Sequence, residues 1–285
     1  MARLRISIVE YLNTAPLVWG FTHGPLQGRY DLSFTVPSQC AEQLARGAVD
    51  IAIIPAIEYQ RISGLVALPG AAIASKRSVR SLLIVSRVPI AQVRRMALDT
   101  SSRSTAALTR ILCAERWRIQ PEFVDSPPDV PAMLSAADAA LVIGDPALRL
   151  SEKYEAGEQV VPGVAGIRLY DVVEQWRQWT GHPCVLAIWA ARREAATPEV
   201  AADFLASKQY GLERIDDIAA NASVTLGLSP ASLARYLRDN IDYSLDDENL
   251  AGLELYFHMA ASAGLIPAAR PLEFPAAPLR AAVRG

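Results

Sequence analysis

The sequence predicts an α/β protein built as two lobes, joined by two crossover strands and followed by a helical C-terminal tail. Three observations predict it. A strand–helix–strand pattern with short links fills residues 5–59, and a similar pattern recurs over 96–148. Two apolar strands about a hundred residues apart, SLLIVS (81–86) and CVLAIWA (184–190), bracket the second pattern. From Thr197 onward the periodicity is helical only.

Each element follows from local chemistry. RISIVEYL (5–12) is apolar and β-branched, a strand that NTAPL interrupts. YDLSFTVP (30–37) is the second strand, and Ser38 is placed to cap a helix from Gln39 that stops at Gly47. VDIAIIPAIEY (49–59) supplies a continuous apolar strand ending at Pro55. In the second unit MALDT (96–100) is a short strand and SSRSTAALTRILCAERW (101–117) an amphipathic helix opened by hydroxyls. PEFVDS (121–126) is a strand, VPAMLSAA (130–137) a helix, and DAALVIGDPAL (138–148) a strand with its loop. LYDVVEQWRQWTG (169–181) reads as a helix with Trp176 and Trp179 on adjacent turns, stopped at Gly181. The tail's helical runs start at Thr197, Ser229 and Asp246, each a capping residue.

Residues 1–82 with 186–285 are expected to form the first lobe and 83–185 the second. Two α/β lobes on two crossovers make a hinged clamp, the architecture of the type II periplasmic-binding-protein-like fold. Such a clamp closes on a ligand held between its lobes.

Composition narrows the function. The chain is 51% hydrophobic and 20% charged with a net charge of −2, as a folded globular protein is. No basic block or stacking run suggests a nucleic-acid partner. The start, MARLRISIVEYLNTAPL, has its apolar run broken by Ser7, Glu10 and Asn13, unlike a secretory signal. No segment approaches the roughly eighteen unbroken apolar residues of a membrane span. A cytoplasmic protein without a membrane partner is expected. Cys40, Cys113 and Cys184 are odd in number and widely spaced, which suits reduced, buried thiols. His23, His182 and His258 are scattered, and HExxH, P-loop, GxGxxG and GxSxG motifs are missing, so no metal and no cofactor is expected.

The candidate residues gather where loops follow strands. DTSSRST (99–105) places Thr100, Ser101, Ser102, Ser104 and Thr105 around a helix start, with Arg103 among them. Free N–H groups, the helix dipole and hydroxyls together make an anion site suited to a carboxylate, whereas simple capping needs one hydroxyl. Asn13 follows the first strand directly and offers donors and an acceptor without charge, although a turn also uses Asn. SVRS (78–81) puts Arg80 and Ser81 at the mouth of the first crossover, where Arg80 either pairs with a carboxylate or stays at the surface. Gly144 permits close approach of backbone to ligand, and Asp145 reads more simply as a helix cap before Pro146. Glu58 is open to either kind of reading.

Six stretches carry a further resemblance: YLNTAPL, DIAIIPAIEY, SVRSLLIVS, LDTSSRSTAALTRIL, ALVIGDPAL and YDVVEQWRQWTGHP. In this order, from about residue 5 to 192, they resemble the chorismate dehydratase family of the futalosine pathway to menaquinone. The related 1,4-dihydroxy-6-naphthoate synthases share the fold but lack YLNTxPL. The resemblance implies removal of water from chorismate to give 3-[(1-carboxyvinyl)oxy]benzoate without a cofactor. Within it, Asn13 and Ser81 are the catalytic candidates. Arg80, Thr100, Ser101, Ser102, Ser104, Thr105, Gly144 and Asp145 are the substrate-binding ones. Chorismate has two carboxylates, and loss of the C3 hydrogen and C4 hydroxyl aromatises its ring. The protein then chiefly orients the ring, stabilises charge and excludes water. The proton acceptor stays open between the substrate's enolpyruvyl carboxylate and Glu58 or Asp145. A naphthoate-synthase-like paralogue and a non-catalytic binder of a small carboxylate share the same clamp. The second would be expected to carry a signal or anchor segment.

Overall fold

The structure is a computed structural model and describes residues 3–275, so the end of the expected tail, 276–285, lies outside the described residues. Its strands in chain order are β1 (Arg5–Val9), β2 (Asp31–Thr35), β3 (Ile51–Pro55), β4 (Leu65–Ser75), β5 (Leu82–Ser86), β6 (Arg95–Asp99), β7 (Glu122–Ser126), β8 (Ala139–Ile143), β9 (Arg168–Asp171) and β10 (Cys184–Arg192). They form two five-stranded sheets, ordered β2-β1-β3-β10-β4 and β7-β6-β8-β5-β9. The two sheets share one topology. Three parallel strands come first, and the strand arriving from the other sheet inserts antiparallel in fourth place. β3, β5 and β8 are buried at every residue, which is why they read as unbroken apolar runs.

The helices are α1 (Ala15–Thr22), α2 (Pro37–Ala45), α3 (Ala56–Arg61), α4 (Ser104–Ile111), α5 (Val130–Ala136), α6 (Gly144–Glu155), α7 (Val172–Thr180), α8 (Pro198–Leu212), α9 (Ile215–Leu226), α10 (Pro230–Arg235) and α11 (Asp247–Ser262). Thr197, Ser229 and Asp246 cap α8, α10 and α11 as expected, and Gly181 ends α7 in the left-handed conformation. Elsewhere the local reading shifts. α2 starts at Pro37 with Val36 at its cap, because proline's fixed φ suits the first helical position, and Ser38 lies inside the helix. NTAPL leads into α1 and does not merely break a strand. The run 197–222 divides into α8 and α9. β4 was not legible, since LVALPGAAIAS carries Pro69 and Gly70 in its middle. The helix expected over 169–181 begins with β9, which pairs with β5.

The crossings also move. The chain passes between the sheets over 76–81 and returns over 172–183. SLLIVS and CVLAIWA are the arrival strands, each inside one sheet, because a strand hydrogen-bonded along both edges cannot also span two lobes. One buried carboxylate ties both crossings together. Asp171 accepts the N–H groups of Val79 and Arg80 at 2.9 and 2.6 Å, and caps α7 through Val173 and Glu174, both at 3.0 Å.

The tail reaches beyond the first sheet. Tyr256 in α11 donates to the Ser104 carbonyl at 2.9 Å, and Arg149 in α6 donates to the Leu226 carbonyl at 2.9 Å. One hydrophobic core runs from Ile8, Ile53 and Trp189 of the first sheet to Ile84, Leu98 and Leu141 of the second. A smaller core around Val85, Met133 and Val142 belongs to the second sheet alone. The three cysteines are free and buried, and burial pushes the Cys40 thiol up to about 11 and Cys113 up to about 12.

Candidate active site

The residues that follow β1, β2, β3, β6 and β8 meet between the two sheets and line one pocket. Ligands of open α/β sheets bind at such carboxyl ends. Its walls are apolar at Val9, Ile73, Leu82, Ile143 and Leu186, and polar at Asn13, Thr14, Ser102, Ser104 and Thr105. Arg103 is the one charged side chain in the lining, and among the described residues no Asp, Glu or His joins it. The cavity measures about 60 Å³. Ligand sites are usually roughly 300–1,000 Å³, so the clamp is shut and must part to admit a ring. A larger hollow of about 780 Å³ lies beside the first crossing, but its Lys76 is held by Asp242, Asp246 and Glu248.

The hydroxyl cluster at α4 divides. Arg103 occupies the N-cap and makes no side-chain cap, so the first-turn N–H groups keep their dipole facing the pocket wall. The hydroxyls of Ser102 and Thr105 line the pocket, and among the described residues neither has a hydrogen-bond partner. Ser101 turns away and donates to Asp99 at 2.6 Å. Ser104 lines the wall, but its hydroxyl accepts the Ile57 N–H at 3.1 Å across the lobes. Thr100 is exposed and faces a different hollow, beside Arg61 and Asp125.

Arg80 departs further from expectation. Its guanidinium donates to Glu152 and Glu155 of α6, at 2.5 and 2.8 Å, and is not in the pocket lining. Its φ of 62° is the left-handed conformation that non-glycine residues seldom adopt, held by Asp171 on its own N–H. Gly144 also has positive φ, and a Cβ there would lie 2.7 Å from the Tyr11 ring. Glycine is needed there because two lobes touch: the close approach is to the Tyr11 ring of the other lobe, where the sequence suggested approach to a ligand.

Neither candidate carboxylate lines the pocket. Glu58 is buried in α3 between Arg61 at 2.7 Å and Arg103 at 3.3 Å. Asp145 sits in the first turn of α6 without capping it, and accepts the Leu12 N–H of the other lobe at 3.1 Å. Burial pushes its carboxyl up to about 6, against the pull of Leu12 and Arg149.

Asn13 lies in a short 3₁₀ turn between β1 and α1 and reaches the pocket, buried to 9% exposure. Ser81 is fully buried at the end of the first crossing and accepts the Tyr236 hydroxyl at 2.8 Å. Tyr236, Tyr11 and Arg103 were not among the candidates. Only the –SSRS– context hinted at Arg103, and nothing local marks Tyr236 in the tail. Among the described residues no three His, Cys, Asp or Glu side chains come together as a metal site would need.

Two like sheets closing on a pocket at their strand ends are the fold of the periplasmic binding proteins. Comparison with solved structures agrees. The chain superposes on protein AF1704 from Archaeoglobus fulgidus with a TM-score of 0.72, at 18% identity, covering 92% of this chain and 98% of that one. It superposes on the periplasmic aliphatic sulphonate binding protein SsuA from Escherichia coli with a TM-score of 0.61, at 18% identity, covering 99% and 96%. Within that fold the chain belongs to the menaquinone biosynthesis family, whose model matches residues 4–262. A chorismate dehydratase from Thermus thermophilus is 27% identical over 260 residues, 88% of this chain and 93% of the relative.

Proposed function

We propose that this chain is a chorismate dehydratase, removing water from chorismate to give 3-[(1-carboxyvinyl)oxy]benzoate in the futalosine route to menaquinone. One observation carries the reading: the uncapped start of α4, with the free hydroxyls of Ser102 and Thr105 and the cation of Arg103, meets Asn13 in a single interlobe pocket. That set of donors suits a carboxylate on a ring that is otherwise in apolar contact. The family match and the Thermus thermophilus relative support the choice of substrate.

In this reaction the C3–H bond breaks, its electron pair enters the ring, and the C4–O bond breaks to release hydroxide, which takes up the abstracted proton as water. Aromatisation supplies the driving force. The chain's part is to hold both carboxylates, align C3–H with its acceptor and stabilise the charge that develops. With Glu58 held by two arginines and Asp145 bonded to Leu12 outside the lining, the placement favours the substrate's own enolpyruvyl carboxylate as proton acceptor. Asn13 then orients the leaving hydroxyl or the enolpyruvyl group by hydrogen bonds.

The test is incubation with chorismate under chelation and without nucleotide. A new aromatic product one water lighter is expected. Unchanged chorismate, with binding intact, would leave a carboxylate-binding protein in place of an enzyme.

A further inference from the structure

Among the described residues Arg103 is the one charged side chain lining the interlobe pocket, and in the shut clamp its guanidinium is already in use. Nη1 donates to Glu58 at 3.3 Å and Nη2 to Glu42 at 2.5 Å, both across the lobe boundary. Glu58 also accepts Arg61 at 2.7 Å. Arg61, Glu58, Arg103 and Glu42 thus form a row of alternating charge that is neutral without a ligand. A carboxylate brought to Arg103 sets a third negative charge against two positive ones, so one glutamate has to yield. Burial decides which. The Glu58 side chain is 5% exposed and bonded on both sides, and a buried charge stripped of a partner is costly. The Glu42 side chain on α2 is 50% exposed, so water takes up its carboxylate once it is released. Bonding geometry agrees. A carboxylate held by two parallel N–H bonds takes Nη2 together with either Nη1 or Nε, and Nη2 is the nitrogen that Glu42 holds.

We infer that Glu42 is an affinity-setting residue, a stand-in that occupies Arg103 in the empty clamp and is displaced by the ligand's carboxylate, while Glu58 stays to position the guanidinium. The inference rests on the carboxylate-binding pocket proposed above and adds the group that the ligand must replace. The sign of its effect follows from the binding cycle. The Glu42 bond stabilises the empty shut clamp and is absent from the loaded one. Removing it therefore raises the free energy of the empty form alone, and binding tightens. Loss of an ordinary latch kept in both forms would not tighten binding.

Glu42→Gln keeps the size of the side chain and removes its charge. KM for chorismate should fall roughly three- to fivefold, the effect of losing one half-exposed ion pair, with kcat within about twofold of the parent's. Asp125→Asn is the control for net charge, an exposed acid beside the outer side of Arg103 with no ion pair among the described residues, and its KM should stay at the parent's value. Glu58→Gln breaks the buried part of the row, so its melting temperature should drop by roughly 6 °C or more, while that of Glu42→Gln stays within about 2 °C of the parent's. An unchanged or raised KM in Glu42→Gln, or an equal fall in Asp125→Asn, would overturn the stand-in. A melting temperature in Glu58→Gln no lower than in Glu42→Gln would overturn the choice of which glutamate stays. If the parent leaves chorismate unchanged, it is the proposed reaction that fails, and the comparison is read from chorismate binding by calorimetry. Tighter binding in Glu42→Gln than in the parent then upholds the stand-in, and equal or weaker binding ends it. A parent chain that neither binds nor converts chorismate overturns both.

Discussion

Asp145 and Gly144 stand side by side where the lobes touch, and each constrains closure in its own way. The Asp145 carboxyl is raised from 3.8 to about 6 by burial, so the folded state holds its proton more tightly than the unfolded chain. The sign follows directly. The contribution of this group is fully present below about pH 4 and is lost as pH rises through 6. At ~1.4 kcal/mol per pH unit the full step is at most about 3 kcal/mol. Asp145→Asn copies the neutral form and keeps an acceptor for Leu12. Denaturant midpoints for this variant should decline less between pH 4 and 6.5 than the parent's, the remaining decline coming from Asp171, whose carboxyl burial also pushes up to about 6, and should equal or exceed the parent's at pH 7. Gly144→Ala acts by shape. Its Cβ would meet the Tyr11 ring at 2.7 Å in a left-handed backbone, so it should cost roughly 1–3 kcal/mol and hold the lobes apart. Small-angle scattering should then report a larger radius of gyration than the parent's.

At the scale of elements, the helix start at α4 and the cap of α7 separate binding from folding. Ser102→Ala and Thr105→Ala remove hydroxyls that face the pocket, so each should weaken carboxylate ligand binding by roughly 1–3 kcal/mol with little change in melting temperature. Ser101→Ala and Ser104→Ala should instead show their effect in stability, since those hydroxyls are bonded to Asp99 and the Ile57 N–H. Asp171 holds four backbone N–H groups from the two crossings. Asp171→Asn would turn an amide N–H₂ toward two of those donors. A loss of about 2–4 kcal/mol is expected in thermal or denaturant unfolding. A variant as stable as the parent would show that the crossings are held by something else.

Across the whole molecule, a small set of interlobe bonds keeps the clamp shut. Arg103 of the second lobe reaches Glu42 and Glu58 of the first, at 2.5 and 3.3 Å. Leu12 bonds to Asp145, Ile57 to Ser104, and Tyr11 to Ser101 at 3.4 Å. Arg103 both latches the lobes and lines the pocket, so a bound carboxylate would compete with Glu58 and Glu42 for it. Arg103→Ala should disfavour the shut form by about 1 kcal/mol, a severalfold change in the open-to-shut ratio. Scattering in the absence of ligand should report expansion, and ligand affinity should fall as well. Expansion without loss of affinity would confine Arg103 to the latch.

What the sequence by itself determined is the part of the fold written in short-range chemistry. The apolar runs of β3, β5, β8 and β10, the caps at Thr197, Ser229 and Asp246, and the glycine stop at 181 all act within a few residues, so periodicity and capping rules find them. The cleft position of Asn13 was legible for the same reason, because it follows directly from the end of β1. Tertiary structure alone decided which neighbours each side chain meets. It made β4 a strand by pairing it with β10, and it directed Ser101 to Asp99 while Ser102 faces the pocket. It drew Arg80 onto Glu152 and Glu155, 72 and 75 positions away, and carried Tyr236 to Ser81 across 155. Five adjacent hydroxyls look alike along a chain. They differ only once burial and a distant partner have set the cost of leaving each one unbonded.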